Sequence, residues 1–407
     1  MKKEIILLLS GCLLLSGCSI GTTTRNLTNS AGKAVACYGE AASLEPLHNF
    51  SYDFFLGNMK TENPIMSPLS AYYAMSLAAS GSDGETRQEL ENTLEENYYQ
   101  ICDEMMEVLP RNDASDIIVS LANSAWIDDN FREDKDWLLD INTYFESDVF
   151  QANLSSEETK TDINRWCNNK TQGLIPEFLA EPLPEATRLA LFNALYFSSK
   201  WRDPFYEGGT REETFYLEDG TETNVDMMRK HGEYQFYFEA EGLQGICLPY
   251  YDDTTFVALT PTDDTSIRDL YQSLTMEELA AFAKTDNTSW VNLRLPKFEA
   301  HNSMKLIDYF KSMGINAAFD AGLADFHKMG ETTSGENIYI SEIIQQAVIK
   351  VGEEGTEAGA VTMVAAAEGA MEPAEEPIEV FFNRPFFYMI YDKRCDAPLF
   401  MGIFEKP

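Results

Sequence analysis

Small, uncharged residues recur at every second position of a segment near the C-terminus, which reads KVGEEGTEAGAVTMVAAAEGAMEPAEEP at 350–377. A strand inside a sheet requires such a pattern, because alternate side chains point to one face and must pack there. No proline lies between 350 and 372, so every amide can donate to a neighbouring strand. An apolar stretch follows at 378–391, which gives the segment the position of a surface loop. Small residues that suit a strand therefore occupy what should be a solvent loop. Counted by twos from Thr356, they are Thr356, Ala358, Ala360, Thr362, Val364 and Ala366, all small or β-branched and none charged.

The composition of the chain allows a large core and excludes several classes of partner. Of the 407 residues, 44% are hydrophobic and 12% are aromatic. The formal net charge is −37. A field this negative repels nucleic acid, heparin-like polyanions and anionic membrane surfaces. We therefore expect none of them to bind the folded part.

Neither the cysteines nor the histidines form a recognisable catalytic or metal-binding motif. The seven cysteines are widely spaced and include no Cys-x-x-Cys pair, which argues against a disulfide framework or a zinc site. The four histidines fall in no nucleophile-elbow, His-Glu-x-x-His or Cys–His signature. We therefore expect no enzyme activity, no metal and no cofactor. The histidines are His48, His231, His301 and His327.

The N-terminus, MKKEIILLLSGCLLLSGCS, is typical of an exported protein. Its apolar run, Ile5–Leu15, is shorter than the roughly 20 residues that span a membrane. Leu-Ser-Gly-Cys at 15–18 resembles a bacterial lipobox, which predicts a signal peptide at 1–17 and a lipid on Cys18. The motif LLLSGC also occurs at 7–12, but with a shorter apolar region before its cysteine. An ordinary secretory signal is the alternative.

This N-terminus predicts a location and a domain division. We expect the protein to be lipid-anchored to the outer face of a bacterial membrane or released outside the cell. Residues 18–45 are polar and lack periodicity, which predicts a tether. Residues 46–407 contain no long linker and no repeat, and we expect them to fold.

Helical patterns dominate the first part of this region and strand patterns the last. Leu47, Phe50 and Phe54 share one helical face. The nearly continuous apolar run at 187–201 predicts a long buried strand, and Asp219-Gly220 predicts a hairpin turn. The fold class is therefore α+β.

Ten short motifs lie along nearly all of 46–407. They are NPIMSPLSAYYAMSLAASG (63–81), INRWCNNKTQGLIPEFL (163–179), NALYFSSKWRDPF (193–205), VDMM (225–228), LPYY (248–251), LPKFEA (295–300), GINAAFD (314–320), EEGTEAG (353–359), FFNRPFFYMIYD (381–392) and PLFMG (398–402). In these motifs and in their order, the chain resembles the serpin family. Each motif is weak alone, but ten in order are hard to obtain by chance.

The resemblance implies one domain with three β-sheets, eight or nine helices and an exposed reactive-centre loop. In inhibitory serpins a serine protease cleaves this loop and is trapped as an acyl-enzyme when the loop inserts into the main sheet. Non-inhibitory serpins typically carry bulky, charged or proline residues in the hinge of the loop. In an inserted strand every second side chain faces the core. Counted from Thr356 to Val364, these inward positions hold none of those residues, which favours an inhibitor. We also expect a monomer. A non-inhibitory serpin acting as a binding or scaffolding lipoprotein is the alternative.

The resemblance also assigns roles to individual residues. Gln345 aligns with the family's common histidine and cannot titrate near neutral pH, so pH-dependent opening through this position is not expected. The implied hinge is Glu353, Glu354, Gly355, Thr356, Ala358, Ala360, Thr362 and Val364. The residues implied to control opening of the sheet are Ser67, Ser70, Asn193, Gln345, Trp201 and Lys297, the last as the partner of Glu353.

Two arguments place the reactive bond, and they do not agree on one residue. The family's spacing, counted with Glu353 as one, reaches the seventeenth residue at Gly369 and predicts the bond Gly369–Ala370. Pocket chemistry favours cleavage after Ala370 or Met371. No Arg or Lys lies between 350 and 384 and no aromatic residue lies near the bond, which points to an elastase- or subtilisin-like protease. The alternatives to Gly369 and Ala370 are Ala367, Glu368 and Met371.

Overall fold

The computed structural model describes residues 24–36, 38–95, 97–109, 111–112, 118–356 and 376–407. Cys18, the hinge positions from Ala358 to Val364 and the reactive-bond candidates from Ala367 to Met371 lie outside the described residues. The predictions that concern them are therefore carried forward as predictions.

Nine α-helices lie in the described residues, and the second is the central one. Every residue of this helix is buried. Ser67 caps its first turn by accepting a hydrogen bond from the amide of Ser70, and Pro68 starts it, where a missing N–H costs nothing. The helices are α1 (Glu45–Asn58), α2 (Pro68–Ser80), α3 (Gly84–Leu94), α4 (Tyr98–Val108), α5 (Lys135–Asp140), α6 (Glu157–Lys170), α7 (Ile267–Ser273), α8 (Met276–Ala283) and α9 (Ile307–Ser312), with a π-helical turn at Ile141–Phe145.

Nineteen strands lie in the same residues. They are β1 (Arg25–Asn26), β2 (Ile65–Met66), β3 (Arg111–Asn112), β4 (Ile118–Asp128), β5 (Phe131–Glu133), β6 (Asp148–Ala152), β7 (Leu189–Lys200), β8 (Arg211–Tyr216), β9 (Glu222–Ala240), β10 (Leu243–Pro249), β11 (Thr254–Pro261), β12 (Thr288–Pro296), β13 (Phe298–Lys305), β14 (Gly330–Thr332), β15 (Ile340–Val351), β16 (Gly355–Thr356), β17 (Ile378–Phe381), β18 (Phe386–Asp392) and β19 (Ala397–Phe404).

The strands form three sheets. The main sheet has the order β1-β6-β4-β7-β16-β15-β13, with β3 paired to β4. The second sheet has the order β17-β12-β9-β10-β11-β18-β19-β2, with β8 paired to β9, and β14 and β5 form a two-stranded third sheet. Helix α2 contacts strands of both large sheets, so the core lies between them. The predicted fold class, with three sheets and eight or nine helices, is confirmed.

Two local predictions are also confirmed. The apolar run at 187–201 contains β7, in which every residue except the last is buried. Asp219-Gly220 lies in the turn between the antiparallel strands β8 and β9. Gly220 has a φ of +81°, a conformation that glycine adopts without steric cost.

The polar N-terminal segment lies against the folded body from Thr24 onward. Strand β1 pairs antiparallel with β6 at the edge of the main sheet, and Leu27 is buried. The side-chain amide of Asn142 donates to the carbonyls of Thr28 and Ala31, at 3.0 and 3.1 Å. We call residues 24–36 the docked segment. In the described residues, no helix is both long enough and apolar enough to cross a membrane.

Candidate functional site

Two residues of the implied hinge, Gly355 and Thr356, lie within the main sheet. Gly355 pairs with Lys200 and Thr356 pairs with Ser199, both on β7. On its other side, Thr356 pairs with Val351 of β15. Further along, β7 and β15 pair directly with each other, in parallel. Gly355 and Thr356 therefore separate the two strands at one end of the sheet, while direct pairing of β7 with β15 runs from Leu189 to Ala194.

Thr356 points into the core from this position. It is 1% exposed, and its hydroxyl lies 2.6 Å from the hydroxyl of Tyr250. The Tyr250 ring stacks on Trp201 with centroids 4.4 Å apart. Burial raises the pKa of Tyr250 well above its ordinary value, so the neutral hydroxyl is the form that meets Thr356. The first inward position of the loop therefore occupies an aromatic pocket with one polar partner.

Gly355 fits because it lacks a side chain. A Cβ at this position would lie 2.2 Å from the carbonyl oxygen of Ser199 and 2.7 Å from the Cα of Lys200. Both are backbone atoms of β7, so they could not move without displacing the strand. Glycine thus permits the loop to approach β7 closely where the strand begins.

Glu353 anchors the turn that leads into β16. Its carboxylate accepts hydrogen bonds from Lys297 Nζ at 2.9 Å and Thr210 Oγ1 at 2.8 Å. Burial alone would raise the pKa of Glu353, but these hydrogen bonds and the charge of Lys297 lower it below its usual range. The backbone carbonyl of Glu353 also accepts the amide of Phe205 at 2.9 Å.

Trp201 ties the same turn to the end of β7. Its indole Nε1 donates to the carbonyl of Gly352 at 2.8 Å, and its amide donates to the carbonyl of Glu354 at 2.9 Å. The turn at 352–355 is therefore held by backbone and side-chain contacts before any loop inserts.

A separate polar cluster lies beneath the middle of the sheet, where β7 and β15 still pair. The side-chain nitrogen of Gln345, Nε2, donates to the backbone carbonyl of Ser67 at 2.9 Å. Its side-chain oxygen, Oε1, accepts from the backbone N–H of Ser67 at 3.0 Å. Asn193 Nδ2 donates to the carbonyl of Ser70 at 3.0 Å, and its Oδ1 lies 3.5 Å from Gln345 Nε2. Helix α2 is thus tied by its first turn to both β7 and β15.

The structure divides the six residues implied to control opening into two groups. Ser67, Ser70, Asn193 and Gln345 form this central cluster, whereas Trp201 and Lys297 lie at the open end. From Asn193 to Ser199 is six residues along β7, or about 20 Å.

Sequence reasoning missed Asn123, which pairs with Asn193 across β4 and β7 and hydrogen-bonds to its side chain. A signal was present, because Asn123 interrupts the apolar run SLANSAW.

The loop returns to the body on the second sheet. Strand β17 pairs in parallel with β12, so that Ile378 lies opposite Val291. The chain therefore leaves the main sheet at Thr356 and enters the second sheet at Ile378.

The buried cysteines take no visible part in chemistry. Cys102, Cys167, Cys247 and Cys395 are all buried. Burial raises the pKa of the Cys167 and Cys247 thiols to about 12, which keeps them protonated at neutral pH. Among the described residues, no group of three or more His, Cys, Asp or Glu is arranged to hold a metal ion.

Comparison with known proteins gives a consistent picture. The family model for the serpins, described as serine protease inhibitors, matches residues 47–407. An uncharacterized serpin-like protein of Thermococcus kodakarensis is 28% identical over 90% of this chain and 86% of its own. The human leukocyte elastase inhibitor is 28% identical over 88% of this chain and 97% of its own.

Solved structures support the same family, and one relative, tengpin, has been solved in a native and a latent state. The crystal structure of the thermophilic serpin tengpin in its native state has a TM-score of 0.85 at 30% identity, covering 95% of this chain and 100% of that one. The latent state of tengpin gives a lower TM-score of 0.74, covering 90% and 99%. This architecture, with the model match over 47–407, identifies the chain as a member of the serpin family.

Proposed function

We propose that this serpin inhibits serine proteases as a suicide substrate. The observation that carries the proposal is the position of Thr356 between β7 and β15, on the parity that predicts small inward side chains as far as Ala366. Insertion of the loop would continue a strand that has already begun. A hinge with a charged or bulky residue at the inward positions would stop at this point.

The inhibitory step is a race between insertion and hydrolysis. The protease serine oxygen bonds to the carbonyl carbon of the reactive residue, the peptide C–N bond breaks, and the new amine leaves with a proton. The cleaved loop then stays joined to the main sheet through its hinge and is linked to the protease by an ester at its new carboxyl end. Strand insertion pulls the ester out of the catalytic site of the protease before water can hydrolyse the ester. The protein's contribution is to make insertion fast.

Two groups in the structure set that speed. The central cluster of Gln345, Asn193, Ser67 and Ser70 ties β7 and β15 to helix α2, and it must break for the sheet to open. The open end, with Glu353 bound to Lys297, keeps the turn in place while the strand grows. Insertion thus proceeds from a fixed start into a sheet that is locked only at its centre.

The expected target is an elastase- or subtilisin-like protease. Small residues surround the proposed bond Gly369–Ala370, and the similarity to a leukocyte elastase inhibitor supports the same class. Incubation with an elastase should give a covalent complex that survives SDS and a released C-terminal peptide that begins within 368–372. Gel electrophoresis and mass spectrometry measure these two results.

Other outcomes of this experiment would reject parts of the proposal. Cleavage of the loop without a stable complex would favour the non-inhibitory alternative, a binding or scaffolding serpin. A complex with trypsin alone, or a cut before Ala365, would contradict the assigned bond.

We further propose that the protein is lipid-anchored through Cys18 outside a bacterial cell. The support is the lipobox-like Leu-Ser-Gly-Cys after a short apolar run. Cys18→Ala should move the protein from the membrane fraction to the soluble fraction while leaving inhibition unchanged, because the anchor lies outside the serpin domain. Fractionation followed by the elastase assay measures both effects, with Cys12→Ala as the matched control. Membrane retention of Cys18→Ala, with release of Cys12→Ala, would contradict the assignment.

A further inference from the structure

One lysine of the second sheet is buried with its charged end inside the protein. Lys230 on β9 is only 3% exposed. Lysine is almost never buried to this degree unless its ammonium group is paired, because the charged form loses its hydration. Its Nζ lies 2.6 Å from Asp203 Oδ2, 3.3 Å from Glu233 Oε2 and 3.3 Å from the carbonyl oxygen of Pro204. Each of the three N–H donors of the ammonium group therefore has a partner.

A bulge in β9 brings Glu233 to the same face as Lys230. Residues three apart on a regular strand would point to opposite faces. Lys230 pairs with Leu293 of β12, and the next pair along joins Glu233 to Val291. Strand β9 thus advances by three residues while β12 advances by two, and such a bulge redirects side chains. Gly232 lies within the bulge with a φ of +59°, a conformation that glycine adopts without steric cost.

The other partners of Lys230 belong to the segment that holds the hinge of the loop. Asp203, Pro204 and Phe205 are consecutive, and Lys230 Nζ contacts all three, the last at 5.2 Å from the ring centroid. The backbone amide of Phe205 donates to the carbonyl of Glu353 at 2.9 Å. The segment 203–205 therefore connects a buried ammonium group directly to the turn that precedes β16.

Lys230 is also connected to the strand that follows the loop. Its cross-strand partner Leu293 pairs on its other side with Val380 of β17. The chain enters the second sheet on β17, after the loop. The backbone of Lys230 thus belongs to the sheet that receives one end of the loop, while its side chain holds the segment that fixes the other end.

The ion pairs of Lys230 can be removed without leaving a buried charge behind. The side chains of Asp203 and Glu233 are 62% and 43% exposed, so water would solvate both carboxylates if the ammonium group were absent. An apolar side chain of similar length could then fill the buried space at little cost to the free energy of unfolding. The change would chiefly remove the fixed position of the segment 203–205.

We propose that Lys230 is a positioning residue for loop insertion. Its ammonium group fixes the segment 203–205, and the amide of Phe205 in turn fixes the point from which β16 starts. This inference rests on the proposed inhibitory function and deepens it. Ordering a backbone segment costs conformational entropy, so a start that is already ordered lets the strand grow sooner. Fewer acyl-enzymes are then hydrolysed before insertion is complete.

The first measurement uses the uncut protein without a protease. Hydrogen exchange at the Phe205 amide, followed by mass spectrometry of the peptides that contain it, reports how firmly the turn is held. Lys230→Met should make this exchange about tenfold faster. Lys230→Arg keeps the charge and the donors and should restore slow exchange. Lys406→Met is the matched control, because it also removes a lysine from an ion pair, with Glu62, and it should leave the exchange unchanged.

The second measurement separates insertion from recognition. With active elastase, Lys230→Met should consume about three times as many inhibitor molecules per protease trapped as the wild type. Its affinity for an elastase whose catalytic serine is changed to alanine should stay the same, because that complex forms before insertion. Lys230→Arg should restore the consumption ratio, and Lys406→Met should match the wild type in both assays.

Three results would overturn the inference. If Lys230→Met consumes no more inhibitor than Lys406→Met while the wild type still inhibits, the positioning role is wrong and the inhibitory function stands. If Lys230→Met loses affinity as well, and Lys230→Arg restores neither property, the lysine supports the fold in general and the proposal fails. If the wild type is cut without trapping any protease, the proposed function itself fails, and the positioning role fails with it whatever the exchange rates show.

Discussion

Cleavage of the loop within 365–372 should raise the melting temperature of this serpin by about 10 °C, because about 10 kcal/mol of added stability shifts a protein of this size by roughly 1 °C per kcal/mol. The gain comes from a strand that is absent in the uncut protein. Each inserted residue exchanges water for neighbours on both sides, and each new backbone hydrogen bond contributes about 1 kcal/mol. The inward side chains beyond Thr356 are small or β-branched, so they can pack beneath the sheet.

Differential scanning calorimetry of cut and uncut protein measures this effect. The uncut form is held by a kinetic barrier, so its transition should shift with scan rate, and the cut form should melt higher at every rate. Equal melting temperatures for the two forms would show that the loop does not insert. A cut Thr356→Arg variant is the control and should show little of the gain.

Thr356→Arg should convert the inhibitor into a substrate. The structure places Thr356 against Tyr250 with 1% of its surface exposed. An arginine there would bury an unpaired guanidinium, which costs several kcal/mol. A rise of about 3 kcal/mol in the barrier slows insertion roughly 150-fold. Hydrolysis of the acyl-enzyme would then win, and more than about ten inhibitor molecules would be cut for each protease trapped.

The parity of the strand supplies two controls for this variant. Thr356→Ser keeps the hydroxyl next to Tyr250 and should keep inhibition. Glu357→Arg places the same guanidinium one residue later, on the parity predicted to face solvent, and should also keep inhibition. Titration of active elastase with each variant gives the consumption ratio. Unchanged inhibition by Thr356→Arg, or its loss in Glu357→Arg, would reject the assigned parity.

The main sheet could be predicted from sequence because its central strand β7 is nearly continuously apolar. Strand β7 is buried on both faces, and only a continuous hydrophobic run satisfies that environment. The inward direction of Thr356 followed from the same physics, since a strand with alternating small residues has only one face that can be buried. The polar cluster at Gln345 and Asn193 was reached only through the family resemblance.

Other features of the site had no comparable signal. The hydrogen bonds of Gln345 go to the backbone of Ser67, and a backbone partner leaves no trace in side-chain pattern. The docked segment was predicted as tether because it is polar and aperiodic. Its attachment depends on edge-strand pairing, one buried leucine and the side chain of Asn142. These contacts depend on the surface of the folded body against which the segment lies, so the sequence of the segment alone does not predict them.

The docked segment limits how far a lipid anchor could hold this protein from a membrane. A free chain from 18 to 45 would reach about 90 Å when extended, enough for the body to turn in any direction. Because β1 begins at Arg25, only the peptide from Cys18 to Arg25 would remain as a flexible linker. This linker would span at most about 25 Å. If Cys18 carries the lipid, the β6 edge of the main sheet would stay close to the bilayer. The length of this short linker would then determine which side of the protein faces away from the membrane.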